Sequence, residues 1–280
     1  MNRQLPIILF ILFLSCSATD DKYGSPKGYN LNKPEKFNMP DVLHEISGIT
    51  FYKGNNDIIY AEQDEAGKLF WMHLGDKKAE SVKFGKKGDF EDVALFNDKV
   101  VMLRSDGVLF SFPLSEIHQE EINDAKESDG ALPSGEFEGL FSDDSQVYVL
   151  CKHCQDDETT KSITAYMLSM QPDGSFKQNG SGTISVTTIE KLTGESKFKF
   201  HPSAFAKNPK TGQWFIVSAV NKMLVIADKD WTVKEVYRLD PTKFHQPEGI
   251  AFDKDNNLYI SNEGDDLSPG NVLKFVFKKE

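Results

Sequence analysis

Five short stretches of this chain spell one pattern: Glu45-Ile46-Ser47-Gly48-Ile49, Asp89-Phe90-Glu91-Asp92-Val93, Glu136-Phe137-Glu138-Gly139-Leu140, His201-Pro202-Ser203-Ala204-Phe205 and Gln246-Pro247-Glu248-Gly249-Ile250. Each runs polar, apolar or Pro, Ser or Glu, usually small, apolar. The third positions, 47, 91, 138, 203 and 248, are separated by 44, 47, 65 and 45 residues. A recurring unit of that length is one supersecondary element stacked against copies of itself, which decides the architecture before any single segment does.

Each motif is followed by a turn and a second β-rich run, such as Asp57–Ala61, Lys99–Leu103, Gln146–Leu150, Trp214–Ser218 and Leu258–Ser261. Third runs follow, among them Lys68–Met72 and Met223–Ile226, and more polar fourth runs such as Glu80–Phe84 and Val233–Tyr237 complete several units. Branched and aromatic residues bounded by turn residues read as strands. Four antiparallel strands every ~45 residues is the arithmetic of an all-β fold, a β-propeller. The 65-residue interval exceeds its neighbours by too little for another blade, so the surplus is expected as loop around Asp156–Ser162 and Thr187–Lys199. Five blades are expected; the alternative is six, with a degenerate blade built from Ser115–Pro133. The last unit ends after three strands, and the segment from about Gly28 to Met39 is expected to supply its fourth, closing the ring and removing the free sheet edges.

The amino terminus is different in kind. Arg3, an apolar run from Leu5 to Leu14, and Ser15-Cys16 form an export signal over residues 1–16. The run is about half the ~20 residues a membrane-spanning helix requires. Phe13-Leu14-Ser15-Cys16 resembles a bacterial lipobox, which makes Cys16 the lipidation site; the alternative is an ordinary cleaved signal. Residues 17–27 read as a polar tether and 28–280 as the propeller domain. The expected location is therefore the bacterial cell envelope, with membrane contact only through a lipid anchor. With 43 acidic against 32 basic side chains and a net charge of −11, nucleic acid is a poor partner, because phosphates require the opposite sign. A monomer is expected. The remaining cysteines, Cys151 and Cys154, are too few for a four-ligand zinc site and read as an inert or disulfide-linked pair at a strand end, with redox or metal chemistry the alternative.

In a propeller the innermost strand of each blade lines the axis, so the motif's third position places Ser47, Glu91, Glu138, Ser203 and Glu248 in one ring. The first position adds Glu45, Asp89, Glu136, His201 and Gln246. Exits from the second strands bring Glu62, Gln63 and Asp64, then Arg104, Lys152, Asn221 and Glu263, to the same mouth. Carboxylates converging in a narrow channel persist if protonated, paired with a cation or bound to metal. Glu91, Glu138 and Glu248 are the candidate metal ligands, and Ca2+, which accepts six to eight oxygens, is the candidate ion. The competing reading is that these side chains satisfy backbone N–H groups or pair with Arg104 and Lys152. Gly-x-Ser-x-Gly, His-Glu-x-x-His, P-loop and Gly-x-Gly-x-x-Gly motifs are all absent.

Ile46-Ser47-Gly48-Ile49, Phe137-Glu138-Gly139-Leu140, Pro202-Ser203-Ala204 and Gln246 through Asp253, followed by Leu258 through Glu263, resemble the SdiA-regulated family over roughly residues 40 to 278. NHL-repeat and SMP-30/gluconolactonase propellers share part of this pattern. The resemblance implies an envelope-associated propeller. By likeness to lactonase-type propellers it also implies Glu248 or Glu138 as metal ligands of a hydrolase, although the Asn ligands and Asp base of that group have no clear counterparts here. The leading expectation is a non-catalytic protein that binds a small ligand or an envelope protein at the acidic mouth; the alternative is a metal-dependent esterase, lactonase or phosphodiesterase.

Overall fold

The computed structural model describes residues 23–279; the expected export signal, Cys16 and residues 17–22 of the expected tether lie outside them. The chain opens with β1 (Glu35–Asn38) and then lays down four complete blades in sequence order. Blade one contains β2 (Ile46–Phe51), β3 (Ile59–Gln63), β4 (Lys68–Met72) and β5 (Glu80–Lys83). Blade two contains β6 (Phe90–Phe96), β7 (Lys99–Arg104), β8 (Leu109–Pro113) and β9 (Lys126–Ser128). Blade three contains β10 (Gly135–Ser142), β11 (Val147–Cys154), β12 (Ser162–Met170) and β13 (Phe176–Ser185). Blade four contains β14 (Ala204–Lys207), β15 (Trp214–Ser218), β16 (Met223–Ala227) and β17 (Val233–Arg238). Blade five contains β18 (Pro247–Phe252), β19 (Leu258–Asn262) and β20 (Asn271–Phe275), and β1 completes it, pairing antiparallel with β20 from Glu35 opposite Lys274 to Asn38 opposite Asn271. The expected five-bladed propeller, sealed by the N-terminal segment, is therefore the observed one.

The inner strands close a ring: β2 touches β6 and β18, β10 touches β6 and β14, and β14 touches β18. A blade inside such a ring is covered on both faces, which explains why β15 and β16 are buried at every position and read as continuous apolar runs instead of alternating. The apolar core is correspondingly divided into clusters that each join two neighbouring blades. Trp214 of blade four stacks with Trp231 at 4.2 Å and lies 4.9 Å from the ring of Tyr148 in blade three. Gly182 faces that stack, and a β-carbon there would fall 2.1 Å from Trp231 Nε1.

Two expectations change. The long interval is loop only in part: residues 194–203 are irregular as expected, but α1 (Gln155–Thr160) after β11 and α2 (Val186–Thr193) after β13 take up the rest, and β12 and β13 extend to 9 and 10 residues. Ser185 caps α2 by accepting the Thr188 N–H at 3.2 Å. The sixth blade does not exist, because Ser115–Pro133 supplies the outer strand β9 and the turns around it.

Candidate functional site

The repeated motif is a β-bulge. The pairing between inner and second strands shifts register at Ile46/Ile49, Phe90/Asp92, Glu136/Phe137/Gly139 and Pro247/Gly249, that is, at the motif of four blades. An extra residue in one strand bends it and re-aims the side chain at the bulge, here toward the axis. The small residue after it is required by close approach. At Gly48 a β-carbon would meet Asp92 Oδ1 at 2.1 Å, and at Gly249 it would meet the Ser47 carbonyl at 2.4 Å.

The bulges open a mouth of about 170 Å³ at the end of the ring where the inner strands enter. Its wall contains Ser47, Glu91, Glu138, Ser203 and Glu248, the complete third-position ring, together with Glu45, Asp89, His201, Asp64, Lys152 and Glu263. Six further sequence candidates, Glu62, Gln63, Arg104, Glu136, Asn221 and Gln246, do not line it. Gln63 donates to Glu45 Oε2 at 3.0 Å, and Asn221 Oδ1 accepts the His201 N–H at 3.0 Å. Glu62 is fully buried beneath, its Oε1 accepting the Gly48 N–H at 2.6 Å and its Oε2 left without a partner. Arg104 turns away and forms a bidentate pair with Asp106, at 2.9 and 2.8 Å. Glu136 stands at the rim, 3.2 Å from Lys152 Nζ. Gln246 is exposed and donates to Glu263 Oε2 at 2.5 Å. Each was assigned to the mouth by strand register alone, and each found a nearer partner.

Asp92 is the buried acidic residue that the sequence reading missed. It accepts the Val93 N–H at 2.8 Å and, across the blade boundary, the Leu140 N–H at 2.6 Å. Its signal was available, since position four of the motif is Gly or Ala in every other unit.

Seven carboxyl groups line the mouth, and the cation among them is Lys152, which hydrogen-bonds to Glu138. Burial disfavours the Lys152 charge, but the hydrogen bond and charge of Glu138, with Glu136 behind it, hold its pKa above the ordinary lysine value. Glu138 rises to about 7, burial outweighing the ion pair with Lys152. Burial, then the charges of Glu138 and Asp89, lift Glu91 to about 9. Among the described residues, no hydrogen bond or ion pair reaches the Glu91 carboxyl; only its backbone carbonyl is engaged, by Ser47 Oγ at 3.1 Å. Burial also raises Glu248, against a hydrogen bond from Ser203. It raises Glu263 to about 7, with Glu248 adding to the effect, and Asp64 to about 6, with Glu45 adding. Burial and the neighbouring Lys152 push His201 down, favouring neutral imidazole.

The oxygen donors suit a hard cation in chemistry, but not yet in spacing. Two opposite ligands on one Ca2+ stand about 5 Å apart, and among the described residues the one set of three His, Cys, Asp or Glu ligand atoms all within 4.8 Å of one another is Cys151, Cys154 and Asp157. Those two cysteines are joined as a disulfide, which removes their thiolates as ligands. Glu91, Glu138 and Glu248 share a mouth without forming a ready-made chelate. An ammonium group offers three N–H donors and a guanidinium five, so either can hydrogen-bond to more than one carboxylate without completing a coordination shell.

The fold recurs in solved structures of low identity. Aldose sugar dehydrogenase from Streptomyces coelicolor, solved with PQQ bound, superposes with a TM-score of 0.55 at 11% identity over 88% of this chain and 99% of that one. Glutaminyl cyclase from Myxococcus xanthus gives 0.54 at 13% identity, covering 88% and 96%. A luciferin-regenerating enzyme gives 0.51 at 8% identity, covering 87% and 95%. Comparison of the sequence with curated proteins returned no match. The SdiA-regulated family model matches residues 25–266, nearly the whole propeller, and the chain belongs to the SdiA-regulated family.

Proposed function

We propose that this protein is an exported, envelope-associated binding propeller that captures a cation-bearing small ligand or partner protein at its axial acidic mouth. The observation that carries the reading is Glu91: a half-buried carboxyl in the acidic ring with no internal partner. An unpaired, half-buried carboxyl among like charges is stabilised by a proton or by an external cation, and a cation serves the neighbouring carboxylates as well. Lys152 neutralises the Glu138 side of the ring and leaves Glu91, Glu248, Glu263 and Asp64 for a ligand. Ca2+ is the candidate inorganic ion, and its binding requires the glutamates to draw together. Likeness to enzymes at 8–13% identity describes the fold and carries no activity.

Calorimetry with CaCl2 and with n-butylammonium chloride at pH 9 tests the site. Binding of either cation by the wild type, weakened about tenfold or more in Glu91→Gln, is the expected result. Flat traces for both cations overturn the reading. Export and anchoring through Cys16 are tested by fractionation, where Cys16→Ala is expected to move the protein from membrane to soluble fractions.

A further inference from the structure

The channel has two mouths, and both are acidic. At the end away from the motifs a cavity of about 600 Å³ is lined by Asp98, Asp143, Asp144 and Asp253, with Lys53, Lys207 and Lys254 beside them. Three of these four acids are answered within the protein, and Asp144 is exposed to solvent. Asp98 lies 3.1 Å from Lys53, Asp143 lies 3.3 Å from Lys207, and Asp253 accepts from Asn56, Asn257 and Tyr259 at 2.7 to 2.9 Å. The motif-side mouth, built by the same five strands, leaves Glu91 unanswered.

The same face carries exposed apolar side chains. Of five large ones among the described residues, Val42 (54% exposed), Leu192 (50%), Val220 (68%) and Leu267 (94%) lie on connections at the motif-side end, and Val276 follows β20 at the other. Val220, between β15 and β16, is itself part of the mouth. Leu267 sits in the β19–β20 connection of the adjacent blade, and Val42 in the segment entering blade one, so the three stand on consecutive sectors of the rim. Leu267 is not on a loose end. Asp265 and Ser268 exchange backbone hydrogen bonds at 2.9 and 3.2 Å, and Asp265 Oδ1 accepts the Leu267 N–H at 2.8 Å. Scattered surface apolar residues need no explanation, but a set held around an acidic well marks a contact surface with a charge-complementary partner.

We propose that the mouth and this rim form one docking surface for a polypeptide that inserts a Lys or Arg side chain among the mouth carboxylates and seats flanking apolar residues on Val220 and Leu267. The inference rests on the cation-capture reading and names the kind of ligand. The charge sets the central residue, because a guanidinium or ammonium meets several separated carboxylates. The rim sets its flanks, because apolar side chains bury area there that water now covers.

A phage-displayed library of disulfide-cyclised peptides, selected on the full-length protein, tests this. Enriched peptides are expected to carry Lys or Arg between apolar residues, to bind about tenfold more weakly to the Val220→Ser/Leu267→Ser double variant, and to bind Val276→Ser as they bind wild type. Both changes are at exposed positions, and an unaltered thermal melt verifies the fold. Enriched peptides without a basic residue, or affinities unchanged by the double variant, overturn the docking surface. The same holds if nothing is enriched while n-butylammonium binds, and cation capture then stands. If nothing is enriched and neither n-butylammonium nor Ca2+ binds, cation capture itself fails and the docking surface with it; if Ca2+ alone binds, cation capture stands and the docking surface is overturned.

Discussion

The Asp92 carboxyl accepts the Leu140 N–H at 2.6 Å, joining blade two to blade three, and it occupies the space that Gly48 of blade one leaves empty. One side chain therefore ties three consecutive blades beneath the mouth. Asp92→Ala strands two buried N–H groups, those of Val93 and Leu140, and is expected to destabilise by about 3 kcal/mol. Gly48→Ala is expected to destabilise by about 2 kcal/mol, because the added carbon collides with Asp92. Urea denaturation of both variants checks the values; an Asp92→Ala midpoint equal to wild type would contradict the role given to this carboxyl.

Stability should depend on pH in a direction set by the mouth. Glu91, Glu138 and Glu263 have folded-state pKa values of about 9, 7 and 7, above the ordinary 4.5 they regain on unfolding. The folded state holds protons that the unfolded chain releases, so this contribution is fully present below about pH 4.5 and is lost as pH rises through 9. Glu91→Gln is expected to match wild type near pH 4.5, to exceed it in stability at pH 9, and to flatten the slope between. Thermal melts across that range provide the measurement, and parallel curves for the two proteins would exclude Glu91 as the source.

Lys152 is the cation already inside the ring, and its removal should be felt most where Glu138 is ionised. Lys152→Met is expected to destabilise by about 2 kcal/mol at pH 9, where the Glu138 charge is left uncompensated, and by less at pH 5.5, where that carboxyl is protonated. Equal losses at the two pH values would assign Lys152 a packing role instead.

The disulfide between Cys151 and Cys154 closes a loop of sequence separation 3. A loop so short restrains the unfolded chain weakly, and the Cys151→Ala/Cys154→Ala variant is expected to lose about 2 kcal/mol or less. Comparison of oxidised wild type, reduced wild type and the double variant by chemical denaturation checks this, and a much larger loss would show that the bridge also orders α1.

β1 pairs with β20 along its whole length, so a chain beginning at Met39 leaves β20 as a bare edge. Such an edge pairs with other chains. The truncated protein is expected to associate in a concentration-dependent manner by size-exclusion chromatography, whereas the full chain elutes independently of concentration.

The repeat of polar, apolar, Ser or Glu, small and apolar carried the architecture in the linear chain. Blade number, closure by β1 and the ring of Ser47, Glu91, Glu138, Ser203 and Glu248 all follow from equivalent backbone positions recurring about an axis, which periodicity specifies without knowledge of contacts. The helices α1 and α2 were not legible, because segments of 6 and 8 residues have little helical preference of their own and depend on packing against blade three and β17. Side-chain partners were likewise decided in three dimensions. Arg104 and Lys152 both leave second strands at the motif-side end, yet Arg104 pairs with Asp106 in its own turn while Lys152 reaches Glu138 in the ring. Nor does strand order distinguish an acid paired within the protein, as Asp98 is, from one left open, as Glu91 is. The linear pattern determined which backbone positions meet at the axis; only the tertiary structure decided which charges remain unpaired, because that depends on distances and burial across blades far apart in the chain.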